Sequence, residues 1–362
     1  MENKLKVGIT QGDINSISYE IIIKMLADNK MNEICVPILY GSSKVAAYYR
    51  KMFDMLNFNL SSIGKPSEAN DKRPNVINFT DDELKVEVGK ETQESVVAAM
   101  KTLTAALEDL DAGELNTLTM APQTASSYTS ENMNSLLDYI SSRYNQDVMK
   151  LLVGQKMKVG FVTSDLPLQE VSRNLTTEKI ISKLKVLNST LKTDFTIRKP
   201  RIAVLALNPV KNTGFTGVEE QEIILPAIEA ARNSGIMALG PYSVENLFIG
   251  TNFEKFDAIL ALHNEQGMLP FKTIEGIEGT ILLAGLDKVI TTTVTGTAFD
   301  IAGQGIADEA ALRNAMYLGI DVYNNRYLNR KLVANPLPHY DSGGNSYESD
   351  MNVDQIVGLK EF

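Results

Sequence analysis

Short apolar, β-branched runs alternate along this chain with segments in which apolar residues recur at helical spacing. KVGIT (6–10), VPILYG (36–41), NVINFT (75–80) and TLTMAP (117–122) read as strands bounded by turn formers. YEIIIKMLAD (19–28), KVAAYYRKMFDML (44–56) and ESVVAAMKTLTAALEDL (94–110) read as helices. In the last of these Val96, Met100, Leu103 and Leu107 share one face. Further strands are predicted at MKVGFVTS (157–164), RIAVLALNP (201–209), FDAILAL (256–262) and within GTILLAGLDKVITTTV (279–294). Helices are predicted at 177–193, 219–233 and 309–325. Alternation of this kind predicts an α/β fold whose mostly parallel sheets are covered by helices. After Ala334 the run NPLPHYDSGGNSYESD is turn-rich and acidic, which predicts a tail or arm.

Composition narrows the reading. At 362 residues the chain can bury two cores of ordinary size. No Pro/Gly-rich linker separates them, so the chain is expected to cross between them more than once. A net charge of -10 argues against nucleic acid, which needs an excess of Lys and Arg on one face. No apolar run approaches the roughly 20 residues of a membrane span. The start, MENKLKVGIT, lacks the apolar core of a signal peptide and reads as a strand. Cys35 is the single cysteine, so there is no disulfide framework. Together these features predict a cytoplasmic protein. The only histidines are His263 and His339, the second in the polar tail. A metal held by three imidazoles of one chain is excluded, although carboxylates remain available to a hard cation such as Mg²⁺.

Polar clusters follow several strands: ITQGDINS with Asp13 after Gly12, VTSDLPL with Asp165, LNPVKNTGFTGVEE, and LHNEQG with His263, Asn264 and Glu265. Each alone also reads as a turn or helix cap. Parallel strands bring their carboxyl ends to one edge, so the clusters are expected to converge there. Neither GxGxxG after the first strand nor GxxxxGK[ST] anywhere is present. TGTAFDIAGQGIAD (295–308) is the remaining loop whose backbone N–H groups could approach a phosphate or adenine; it reads equally as a plain connection.

The order of GITQGDINSISYEI, VGFVTSDLPL, PRIAVLALNP, GVEEQEIILPAIEAARNSG, GPYSVENLF, FDAILALHNEQG and TGTAFDIAGQGIAD resembles the 4-hydroxythreonine-4-phosphate dehydrogenase (PdxA) family. The resemblance implies a two-domain isocitrate/isopropylmalate dehydrogenase-like α/β fold with an interdomain cleft. It places a first domain at 1–128 plus 298–331, a second with the dimer interface at 129–297, and a polar tail at 332–362. It also implies a homodimer with shared active sites, taking a small-molecule ligand in the cleft. The family reaction is an NAD- and divalent-metal-dependent oxidation of 4-phosphohydroxythreonine, followed by β-decarboxylation, in vitamin B6 synthesis.

Carried over residue by residue, the resemblance puts the family's three metal-binding histidines on Asp165, Val210 and Asn264. His263 stands one place early, and in a strand such a shift turns a side chain to the opposite face, so it reads as a strand residue. The substrate-binding histidine, asparagine and arginine fall on Leu136, Ile281 and Ile290. Losing the guanidinium removes a planar, bidentate anion clamp. Lys272 matches a substrate-contacting position and, with Asp165, is a candidate catalytic group. Gly296, Thr297, Asp300 and Gly303 remain in the dinucleotide loop, with Thr295 in place of a histidine, so NAD is an expected cofactor and a divalent metal is not. Ser16 and Ser18 replace two glycines near the N-terminus. The expectation is a divergent paralogue whose family activity is lost or strongly altered. The alternatives are an NAD-dependent dehydrogenase of changed specificity, and a non-catalytic ligand-binding protein or pseudo-subunit.

Overall fold

The computed structural model describes residues 4–28, 30–79, 84–128, 135–211, 214–215 and 217–334. The N-terminal part supplies β1 (Leu5–Thr10), β2 (Cys35–Gly41), β3 (Ser61–Ile63), β4 (Asn75–Asn78) and β5 (Thr117–Met120). Next come β6 (Met149–Val153), β7 (Lys158–Phe161) and β8 (Arg201–Leu205), then a small ribbon of β9 (Val210–Lys211) and β10 (Gly214–Phe215). β11 (Met237–Tyr242), β12 (Ala258–Ala261), β13 (Thr280–Ala284) and β14 (Ile290–Thr293) follow. Among the described residues one 12-stranded sheet runs β11-β8-β12-β7-β6-β13-β14-β5-β1-β2-β4-β3.

The strands fall into two parallel blocks. β11, β8, β12 and β7 are mutually parallel, and so are β14, β5, β1, β2, β4 and β3. Between these blocks the pairings β7–β6, β6–β13 and β13–β14 are all antiparallel. An odd number of reversals leaves the two blocks pointing in opposite directions. Opposed direction does not separate all of the polar clusters: Asp13 N donates to Pro122 O at 2.9 Å, and Pro122 lines the same cavity as Asp165, Thr295 and Gly296.

Helices cover both faces. On one, the helix Ala310–Val333 buries Leu312, Met316 and Ile320 in the cluster containing Ile9 and Ile22, and Val322 in the cluster containing Leu151 and Val204. One helix thus packs against both blocks. On the other face, one apolar cluster forms around Leu107 and Leu118 and another around Phe161 and Ile259; Ile281 packs against both.

The predicted helix at 177–193 is present as Thr177–Thr193, where the Thr176 hydroxyl accepts from Lys179 N. The predicted helix at 44–56 spans Ser43–Met52 and stops ahead of Asp54, which has the left-handed φ of 54°. The predicted helix at 219–233 begins as a π-turn, Glu220–Ile224, and becomes α-helical only over Leu225–Asn233. Pro226 has no N–H to give to the preceding turn, so regular α-helical bonding fails there. The last helix runs on to Val333, so the expected tail start at 332 falls inside it. The rest of the tail from 335, His339 included, lies outside the described residues.

Candidate functional site

Where β5, β6, β13 and β14 meet, a cavity of about 330 Å³ opens on the face that carries Ile281. That is the size of a small-molecule site. Leu136, Asp165, Ile281, Thr295 and Gly296, all singled out from the sequence, are brought together in its lining. Met120, Tyr128, Leu137 and Leu283 complete much of the apolar wall, and Gln123, Thr292 and Thr293 add polar atoms.

The charged part of the site was not anticipated. Lys150, on β6, donates from Nζ to Asn264 Oδ1 at 3.1 Å and lies 3.4 Å from Asp165 Oδ1. Its ammonium also sits 5.2 Å from the centroid of the Phe161 ring, close enough for a cation–π contact. The Lys150 side chain is 14% exposed and that of Asp165 is 42% exposed, so a nearly dry cation faces a half-wet carboxylate. Ser164 Oγ donates to Asp165 Oδ2 at 3.0 Å, and Asn264 Nδ2 donates to Glu265 Oε1 at 2.9 Å. The signal in the sequence was a lone lysine inside the apolar run MKLLV.

Asn264 is the first residue of the helix Asn264–Glu275, and His263 is its N-cap. The expectation that His263 is a strand residue is thus corrected, because β12 ends at Ala261. Gln266 closes the turn: its Oε1 accepts from Leu262 N at 3.0 Å and its Nε2 donates to Ala206 O at 2.8 Å. His263 keeps an extended backbone and makes no side-chain cap bond. Burial pushes its imidazole pKa down, with Glu265 opposing the shift.

The donor set does not fit a metal ion. Asp165 and Asn264 offer one carboxylate and one amide, and an ammonium already lies between them. The third family position is Val210, and valine has no ligating atom. Among the described residues no group of three or more His, Cys, Asp or Glu could hold a metal ion. The loop ahead of Val210 is fixed by buried Glu220, whose Oε1 accepts from Leu207 N and Asn208 N, each at 2.8 Å.

Other expected residues lie apart from this group. Lys272 is exposed near the C-terminal end of the helix that starts at Asn264, roughly 12 Å along the axis. It does not line the cavity. Ile290 is fully buried in the apolar cluster with Leu118 and Leu283. In the glycine-containing loop, Gly296 is exposed and a Cβ there would meet nothing within 4 Å. Thr297 O accepts from Ile17 N at 3.1 Å. Gly303 has φ 75°, and a Cβ there would come within 2.7 Å of Val88 Cγ1. Asp300 is exposed. The loop is therefore fastened to its neighbours while Gly296 and Asp300 stay accessible. Ser18 Oγ donates to Pro122 O at 2.7 Å, tying the loop after β1 to the end of β5. Buried Asp13 accepts from Ser95 Oγ at 2.7 Å and Asn15 N at 2.8 Å. Burial nevertheless holds its carboxyl above the usual range.

Two opposed blocks of parallel strands with a small-molecule-sized cavity at their junction define an α/β class of fold, in which function is set by the site. Residues 33–319 match the family described as pyridoxal phosphate biosynthetic protein PdxA. The 4-hydroxythreonine-4-phosphate dehydrogenase of Bacteroides thetaiotaomicron is 41% identical over 341 residues, covering 93% of this chain and 93% of its own length. That of Sulfurihydrogenibium sp. is 32% identical, covering 87% of this chain and 98% of its own. The crystal structure of the Klebsiella pneumoniae 4-hydroxythreonine-4-phosphate dehydrogenase shares the fold, with a TM-score of 0.74 at 24% identity over 89% of this chain and 98% of that one. The chain belongs to the PdxA family.

Proposed function

We propose that this PdxA-family chain has lost, or keeps only weakly, the metal-assisted oxidation of 4-phosphohydroxythreonine, and that its cavity holds a small-molecule ligand. The reading rests on one observation: Lys150 bridges Asp165 and Asn264, the positions where the family resemblance calls for metal-binding histidines. In such a reaction a metal would polarise the substrate hydroxyl and stabilise the enolate left by decarboxylation. Neither service is available from Asp165, Asn264 and Val210, and the neighbouring Glu265 carboxylate is engaged by Asn264 Nδ2. The aliphatic side chains of Ile281 and Ile290 likewise offer no clamp for a phosphate.

A second reading, an NAD-dependent dehydrogenase of changed specificity, is favoured by the fastened loop with its accessible Gly296 and Asp300. Gly296 would let a dinucleotide approach the backbone, and Asp300 would accept from a ribose hydroxyl. Bound NAD would supply the hydride acceptor. The chain is further proposed to act as a cytoplasmic homodimer. No described helix is long and apolar enough to cross a membrane.

The test is NADH absorbance with 4-phosphohydroxythreonine, NAD⁺ and either Mg²⁺ or Zn²⁺. No rate above the enzyme-free control is expected, and titration calorimetry should find no sub-micromolar stoichiometric zinc site. Steady NADH production that disappears in Lys272→Ala would overturn the loss of the family reaction. NADH formed from another hydroxy acid would establish the second reading.

A further inference from the structure

Among the described residues Lys150 is the one cation that lines the cavity. It is held in place by Asn264 at 3.1 Å, by the Phe161 ring at 5.2 Å and by Asp165 at 3.4 Å. An ammonium has three N–H donors. Two are engaged by Asn264 and Asp165, which leaves one for a ligand. The Asp165 contact is longer than the roughly 2.7–2.9 Å of a strong charge-assisted bond. That carboxylate therefore keeps much of its accepting capacity. The cavity wall thus presents a positive and a negative group side by side.

Asp165 and the threonines supply the other polar atoms of the wall, whereas Gln123 turns its amide oxygen away from it. Its Nε2 donates to Met100 Sδ at 3.7 Å, but its Oε1 is buried with no hydrogen-bond partner, and the residue lines the same cavity. The spare ammonium proton and the accepting capacity of Asp165 describe complementary parts of one molecule: an anionic oxygen and a hydroxyl group. Among the described residues no arginine lines the cavity, and the Lys150 ammonium is partly balanced by Asp165. Such a wall suits a monoanion better than a phosphate dianion.

We infer that Lys150 and Asp165 form a metal-free recognition pair for a small, unphosphorylated hydroxycarboxylate. The ligand carboxylate takes the remaining Lys150 donor, and a ligand hydroxyl donates to Asp165. In this arrangement Lys150 is an anchoring residue and occupies the electrostatic place of a cation. The inference rests on the reading above that the cavity works without a metal.

Titration calorimetry of the full chain with threonate and with glycerate, in the presence of EDTA, tests it. Binding is expected to be the same with EDTA as with added Mg²⁺. Lys150→Met should weaken it by about tenfold or more, the usual effect of removing a charged hydrogen-bond donor, while Lys150→Arg should retain most of it. Butyrate, which lacks hydroxyls, should bind more weakly than threonate. Circular dichroism melts check that the variants fold; should Lys150→Met unfold, Lys150→Gln removes the charge while keeping polar reach. Failure of both probes to bind, equal affinity in the charge-free variant, a requirement for Mg²⁺, or preference for a phosphorylated analogue would each overturn the pair. The NADH assay is scored separately. Turnover of 4-phosphohydroxythreonine would end the proposed loss of function, while the Lys150–Asp165 pair would still stand or fall by the titration.

Discussion

Burial lowers the pKa of His263 from its ordinary 6.5, and the attraction of Glu265 only partly restores it. The sign of the consequence follows from proton counting. With the folded-state pKa depressed, the unfolded chain binds more protons through the interval between the two values. The stabilisation is fully present above about pH 6.5 and is lost as the pH falls through the folded-state pKa. Thermal melts between about pH 8 and pH 5 should therefore show a steeper acid-side loss of Tm in the parent than in His263→Gln. Parallel curves for the two proteins would refute this. The comparison isolates His263, because His339 is common to both chains. The same side chain shows why residue-level reading went only part of the way. Its identity and offset from Asn264 were legible, but its place as an N-cap depends on Gln266 reaching Leu262 and Ala206.

At the level of elements, the helix Asn264–Glu275 and β7 carry the groups that frame Lys150, and Gly267 sets how closely they approach. A Cβ at Gly267 would lie 2.6 Å from Phe161 Cε1 and 2.7 Å from Val159 Cγ1, both parts of a packed core. Gly267→Ala should destabilise the protein by about 1–3 kcal/mol, the usual cost of overpacking. It should also weaken hydroxycarboxylate binding, because Phe161 lies beneath the ammonium and Asn264 rides on the same helix. Urea unfolding together with titration calorimetry reads both effects; unchanged stability would mean that the helix can shift freely. Most elements were visible in the sequence because their signals are local. The helix Thr177–Thr193 has a capping threonine and regular apolar spacing. β6 was not predicted: MKLLV does not alternate and its lysine looks like a solvent residue, which outweighed the flanking turn formers Asn145, Asp147 and Gly154. Missing that strand meant missing Lys150. Strand direction was illegible for a different reason, since the reversals through β6, β13 and β14 are pairings between distant segments.

For the molecule as a whole, the middle of the chain leaves large apolar side chains uncovered. Leu168 is 72% exposed and Leu269 is 66% exposed, and Val218, Ile249 and Ile277 are also uncovered. Leu56, Leu332 and others elsewhere in the chain are exposed as well, but uncovered aliphatic groups near the cavity rim are candidates for an interface, and a two-fold dimer needs about 800 Å² from each partner. Leu168 opens the short helix Leu168–Val171, three residues beyond Asp165, so a partner covering it would approach the cavity rim. Sedimentation equilibrium should therefore give twice the 39.8 kDa chain mass. The double variant Leu168→Arg, Leu269→Arg should shift the population towards monomer, because desolvating two unpaired guanidinium groups in an apolar contact is costly. A parent protein that sediments as a monomer at all concentrations would exclude the dimer. If instead the variant is monomeric and folded but binds threonate normally, the partner supplies no part of the site, and the Lys150–Asp165 pair is complete within one chain.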